Sequence, residues 1–338
     1  MIDEFSKYKA RKDLTKEYYE KIGKALLKKE EGSIRKSNSL KEKAVNLGLD
    51  IVRLEKVDES EEFIQESHLR FLSRCRLLEI DHYIIEGFIG AGQCGAVYNA
   101  SDLNKDRKAA LKVLFYPRNR EERERFVREG NVTFEINSPY LVSGYEPTKK
   151  ITGAPIYWYS MEVLNNAVPF SDYLGRSGLD DAVSKLSQVC QGLSHLHKEN
   201  IVHRDLHAEN IVITNNGTPK IFDFGSIPVV GHDYTFRPVG SLKVSSPEKL
   251  NNPSSVDPPT DMFSVGCIAY FAISDRWPLY GGNFGEKVQL LRECDPEPLQ
   301  TEREALAQLV DDLLEKEPAD RPTASEAASR FSELAESL

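Results

Sequence analysis

The stretch that most constrains this chain is His203-Arg204-Asp205-Leu206-His207-Ala208-Glu209-Asn210, followed thirteen residues later by Asp223-Phe224-Gly225. Apolar, strand-like runs precede both motifs: Ile201-Val202 before the first and Lys220-Ile221-Phe222 before the second. At this spacing the Asn210 amide oxygen and the Asp223 carboxylate can converge on a hard cation such as Mg2+. Asp205, five residues before Asn210, is left to face a hydroxyl group. Phosphoryl transfer needs this equipment, because most of its catalysis is positioning and charge neutralisation. A lone His-x-Asp carries little weight, whereas two linked motifs in this order carry much more. Between them Ile211-Val212-Ile213 reads as a strand and Asn215-Asn216-Gly217 as a hairpin turn.

The 338 residues allow two or three domains of ~100–200 residues each. No run approaches the ~18 apolar residues of a membrane span, and the start at Met1-Ile2-Asp3-Glu4 lacks a signal-peptide core. A soluble, cytoplasmic protein with no membrane partner is expected. The five cysteines, Cys75, Cys94, Cys190, Cys267 and Cys294, are spread apart with no Cys-x-x-Cys, which argues against a disulfide framework or zinc site. The net charge of −9 falls on the chain after its first eighty residues, which are slightly basic. An acidic body argues against nucleic acid as the main partner. It serves solubility and weakly favours basic substrates.

Residues 1–79 are rich in charge and lack strand patterns. Leu14, Tyr18, Ile22 and Leu26 recur every four residues and draw one helical stripe. Leu40, Ala44, Leu47, Ile51 and Leu54 draw a second, interrupted by Gly48; Phe63, Ile64, Phe71, Leu72, Cys75 and Leu78 suggest a third. A helical extension is expected, with its apolar faces packed on itself, on the following domain, on a partner or on a second copy.

From Ile80 the pattern changes to short strands. Tyr83-Ile84-Ile85 leads into Ile89-Gly90-Ala91-Gly92-Gln93-Cys94-Gly95-Ala96-Val97-Tyr98. A dinucleotide-binding turn also carries G-x-G-x-x-G, but it runs into a helix, with an acidic residue ~20 positions on. Here strand-like Ala96-Val97-Tyr98-Asn99-Ala100 follows. In a strand–loop–strand, Gly90, Gly92 and Gly95 let backbone N–H groups close over a triphosphate without Cβ clashes. Lys112 is a single cation inside the next apolar run, Ala109 to Leu114. Alternation points it the same way as Ala110, toward the nucleotide side, although a surface lysine is the ordinary alternative.

Taken in order, the glycine loop, the His203–Asn210 loop and Asp223-Phe224-Gly225 resemble the eukaryotic-type (Hanks-type) serine/threonine protein kinases. The resemblance extends to Gly240-Ser241-Leu242-Lys243-Val244-Ser245-Ser246-Pro247-Glu248, to Asp261-Met262-Phe263-Ser264-Val265-Gly266, and to Arg321 within Pro318–Pro322. It covers roughly residues 80 to 336. It implies an α+β, bilobal protein-kinase fold with a helical N-terminal extension: a small lobe over residues 80–162 and a large lobe over 165–338. One helix follows Arg321, and no further regulatory domain is expected after it.

The resemblance also implies ATP and Mg2+ as cofactors, and protein Ser/Thr hydroxyls as substrate. Asp205 would be the base, with Arg204 and His207 beside it, and Asn210 and Asp223 the metal ligands. Lys112 would hold phosphates, steadied by Glu129, with Glu124 as the rival partner. Ile89, Val97, Ala110, Met161 and Val212 would line the adenine pocket, with backbone hydrogen bonds from Glu162 and Leu164. Glu248 would pair with Arg321, and Asp261 would hold the catalytic-loop backbone. Arg204 is the residue of kinases switched by activation-segment phosphorylation, which points to Thr235; a purely structural cap on the loop is the alternative. His195 and His197 read as core or cap residues.

Three departures leave alternatives open. His207 stands where these kinases carry Lys, and an imidazole with an ordinary pKa of about 6.5 is only partly charged at neutral pH. The same loop resembles small-molecule kinases that act on aminoglycosides or choline. Ser241 and Val244 replace the usual Thr and Tyr. A kinase-fold binding module is the third reading, but it should have lost Lys112, Asp205, Asn210 or Asp223, and all four are present.

Overall fold

The computed structural model describes residues 78–92, 95–115, 117, 119–226, 244–251, 257–279 and 284–336. Apart from its last two residues, the extension expected over 1–79 lies outside that set, as do Thr235 and Ser241. The described residues form two compact units. One runs to Phe126 and adds Thr148–Ser160; the other takes Val127–Pro147 and the chain from Met161 on.

The first unit is built on a six-stranded sheet of β1 (Glu79–Ile80), β2 (Tyr83–Gly92), β3 (Gly95–Asp102), β4 (Arg107–Phe115), β5 (Gly144–Lys150) and β6 (Ile156–Met161), in the order β1-β2-β3-β4-β6-β5. Burial along β3 alternates, as the period of two in a strand requires. Ala96, Tyr98 and Ala100 face the core and pair with Val113, Leu111 and Ala109 of β4. Tyr83 is fully buried, meets Trp158 edge-on at 5.6 Å, and shares a 2.8 Å hydrogen bond with Ser160. The β3–β4 turn closes on Asp102, whose buried carboxylate accepts from the Asn104 and Lys105 amides and from Arg107 Nε. Burial pushes its pKa up, but the Arg107 hydrogen bond and the two amides outweigh that and hold it below the usual carboxylate range.

Helix α1 (Arg120–Glu135) and β5 each cross the division between the units. In the second unit a small sheet orders as β7 (Val168–Pro169), β8 (Ile211–Ile213) and β9 (Pro219–Ile221), with both pairings antiparallel. Helix α2 (Phe170–Leu174) follows β7, and α3 (Leu179–Lys198) buries Val183, Leu186, Val189, Cys190, Leu193 and Leu196 along one face. After α4 (Pro247–Asn251) comes α5 (Pro259–Ser274), apolar and buried on every side from Thr260 to Tyr270, which makes it the axis of this unit. Gly266 is required there: a Cβ would sit 2.9 Å from the Leu313 Cβ. Helices α6 (Phe284–Glu293), α7 (Glu304–Leu313) and α8 (Ala324–Glu336) complete the unit, and α8 lies along α3 with Ser187 donating to the Ala328 carbonyl. Among the described residues no helix is long and apolar enough to cross a membrane.

One element differs from the sequence reading. Ile201-Val202 forms no strand. Its backbone is claimed elsewhere: Ile201 N–H donates to the Leu196 carbonyl at the end of α3, and His203 N–H donates to the Asp261 side chain.

Candidate active site

In the second unit the loop His203–Asn210 is held from beneath by α5. Asp261, fully buried, accepts His203 N–H on Oδ2 and Arg204 N–H on Oδ1, both at 2.8 Å, and His197 Nε2 donates to Oδ2 at 2.9 Å. Burial would raise the pKa of this carboxyl, but the His197 hydrogen bond, the His197 and His203 charges and the loop amide hold it below its ordinary value. The His203 ring is itself fixed, donating through Nε2 to the Phe222 carbonyl and packing edge-on against Phe224. His195 lies within 2.6 Å of Ser138 Oγ. His195 and His197 thus hold structure in place.

The β8–β9 hairpin brings the two motifs together. Asn210 enters β8 from a 3-10 turn, Phe222 leaves β9, and Phe222 N–H donates to the Asn210 carbonyl at 3.0 Å. Asp223 follows immediately, exposed, in the left-handed region at φ 68°. Asn210 Nδ2 donates to the Asp205 carbonyl at 2.9 Å, which fixes the orientation of its amide. A carboxylate and an amide oxygen are donors that suit Mg2+.

His207 is better anchored than its position suggests. Its Nδ1 donates to Glu209 Oε2 at 3.0 Å, and its Nε2 lies 4.0 Å from Asp205 Oδ2. Burial alone would lower the imidazole pKa. The Glu209 hydrogen bond and the charges of Asp205, Glu209 and Asp223 outweigh it, so the pKa is raised. Protonated His207 therefore persists to higher pH than an ordinary imidazole. Sequence reasoning missed Glu209, whose only signal is its place two residues after His207.

Met161 ends β6, and Glu162 follows it. The Glu162 N–H is committed to the Ser143 carbonyl, so Glu162 can offer a ligand only its own carbonyl. Its carboxylate accepts Ser143 N–H and Lys220 Nζ, both at 2.7 Å, a tie that the sequence did not disclose. Leu164 packs on the apolar core of this unit, and Val212 sits mid-strand in β8, half-buried. Glu129 is buried within α1, whereas its rival Glu124 is engaged by Arg120 and Arg123.

In the first unit, Gly90, Val97 and Lys112 stand in one row across β2, β3 and β4. Val97 and Lys112 share one face with the paired Asn99 and Ala110, opposite Tyr98 and Leu111. Ile89 is about half exposed. Gly95 is needed structurally: at φ 121°, a Cβ would lie 2.5 Å from the Val113 carbonyl oxygen. Gly90 is different, since a Cβ there would meet nothing within 4 Å. The protein's own packing does not require that glycine, and an open backbone fits the approach of phosphate. Gly92 ends β2 opposite Gly95.

Beyond the motifs, the expected Glu248–Arg321 pair is present and bidentate, at 2.7 and 2.9 Å, with the Arg321 side chain fully buried. Fold and site together define the protein kinase class. The chain belongs to the protein kinase domain family, whose model matches residues 83–331. Among curated proteins it is similar to a serine/threonine-protein kinase of Corynebacterium efficiens, drp72, at 29% identity over 71% of this chain and 48% of that protein. PknB of Mycobacterium leprae matches at 28% over 72% of this chain and 40% of its own length. PknA of Corynebacterium glutamicum matches at 29% over 71% and 53%. This chain thus spans about half the length of these relatives, or less.

Proposed function

We propose that this protein transfers the γ-phosphoryl group of ATP to Ser or Thr hydroxyls of proteins, itself included. The observation that carries the reading is the loop in which Asp205, Asn210 and Asp223 are tied by two hydrogen bonds, Asn210 Nδ2 to the Asp205 carbonyl and Phe222 N–H to the Asn210 carbonyl. The names of the relatives, all serine/threonine-protein kinases, support the same class.

ATP would supply the phosphoryl group, and Mg2+ would neutralise and orient its phosphates. Asp205 orients the acceptor hydroxyl and takes its proton. Asn210 and Asp223 hold the cation. Lys112 and the amides of the Gly90–Gly95 loop would hold phosphate oxygens, while His207 adds positive charge beside Asp205. Val97 and Ala110 of the first unit, and Met161 and Val212 of the second, are the apolar residues offered to the base. The acidic charge of the chain favours basic protein substrates.

Labelled ATP offered with casein, a basic protein and an aminoglycoside tests the substrate class. Label should appear on protein Ser and Thr, and on the chain itself. Label on the aminoglycoside alone would overturn the reading.

A further inference from the structure

Lys249 is a buried cation that the mechanism above does not use. It lies on α4, directly after Glu248, and is only 7% exposed. Its Nζ donates to the Arg204 carbonyl at 2.7 Å. That carbonyl belongs to the peptide unit joining Arg204 to Asp205. The other polar group of Arg204's backbone, its N–H, is held by Asp261 at 2.8 Å. Two buried charged side chains from two different helices therefore grip the one residue that precedes Asp205.

Arg204 needs that grip. It is a non-glycine residue at φ 67°, in the left-handed region. Such a conformation is strained and persists only where its surroundings over-determine it. Removing the Lys249 hydrogen bond frees the 204–205 peptide to rotate, and with it the direction in which Asp205 points. Helix α4 can bear the load, because Glu248 is fixed by the two terminal guanidinium nitrogens of Arg321 and by Thr260 Oγ1 at 2.8 Å.

We infer that Lys249 is a positioning residue for phosphoryl transfer: through the Arg204 carbonyl it sets the orientation of Asp205, and it links that aspartate to the Glu248–Arg321 anchor. The inference rests on the kinase reading. Burial and Arg204 lower the Lys249 pKa, while Asp205, Asp261 and Glu248 act in the opposite direction. No periodicity marks Lys249 in the sequence, because its partner lies 45 residues away.

The test compares full-length Lys249→Met, which removes the donor, with Lys249→Gln, which keeps a neutral one. In Lys249→Met, kcat should fall by about 10–100-fold, as expected for a misdirected catalytic group, with KM for ATP unchanged. Lys249→Gln should recover part of that loss. Hydrogen exchange of the 203–206 amides is the second readout and is independent of transfer. It should speed up in Lys249→Met and less in Lys249→Gln. Unchanged kcat, equal loss in both variants, or unchanged exchange in this loop would each overturn the inference. If wild-type protein transfers nothing, the kinase reading fails, and the exchange data still decide the role of Lys249. Should Lys249→Met not fold, Lys249→Gln alone must show faster loop exchange, or the inference falls.

Discussion

His207 shows how one residue's surroundings alter its chemistry. By type it is an imidazole that is mostly neutral at neutral pH. Its Glu209 hydrogen bond and three nearby carboxylates raise its pKa. If the protonated form assists transfer, activity is full below the raised pKa and declines as pH rises through it. Glu209→Gln removes the strongest of the raising contacts and should move the alkaline limb to lower pH. His207→Lys should extend it to higher pH. A pH–rate profile with the same alkaline limb in wild type and both variants would remove His207 from the chemistry. The proximity of His207 to Asp205 was legible in the motif; its charge state was not, because that depends on burial and on Glu209's rotamer.

At the scale of elements, the hairpin and α5 do most of the positioning. The hairpin was readable: apolar Ile211–Ile213, the Asn215-Asn216-Gly217 turn, and polar residues flanking both strands. Helix α3 carries the same kind of local record, with Val183, Leu186, Val189, Cys190, Leu193 and Leu196 at helical spacing. Glu129 is buried within α1, and Glu124 on the same helix is engaged by Arg120 and Arg123. Ties between distant segments left no local pattern: Glu162 to Lys220, and Lys249 to Arg204. Ile201-Val202 misled because an apolar pair carries no record of where its backbone hydrogen bonds go. For α5 the expected outcome concerns Asp261, which accepts three hydrogen bonds while fully buried. Asp261→Asn turns an NH2 toward a donor and should cost about 3–5 kcal/mol in urea unfolding, as for a broken buried pair. The carboxyl's folded pKa lies below its unfolded value of about 4. Its stabilisation is therefore complete above that value and is lost as pH falls through the folded pKa. The deficit of Asp261→Asn should be constant near neutral pH and shrink in strong acid. A deficit that grows on acidification would contradict the assignment.

At the scale of the whole molecule, the site residues fall into two units. The glycine row with Lys112 belongs to the strand-rich unit, and the Asp205–Asn210–Asp223 loop belongs to the helical one. The bilobal α+β class followed from motif order, because each motif is tied to the element that carries it. The central claim is that Asp205 acts on the acceptor hydroxyl and is not needed to bind nucleotide. The most direct measurement sets phosphoryl transfer by full-length Asp205→Ala against its affinity for Mg2+·ATP. Transfer should fall by about 10²–10⁴-fold, the usual contribution of a positioned base, with affinity unchanged within about twofold. An Asp205→Ala protein that turns over at the wild-type rate would contradict the account.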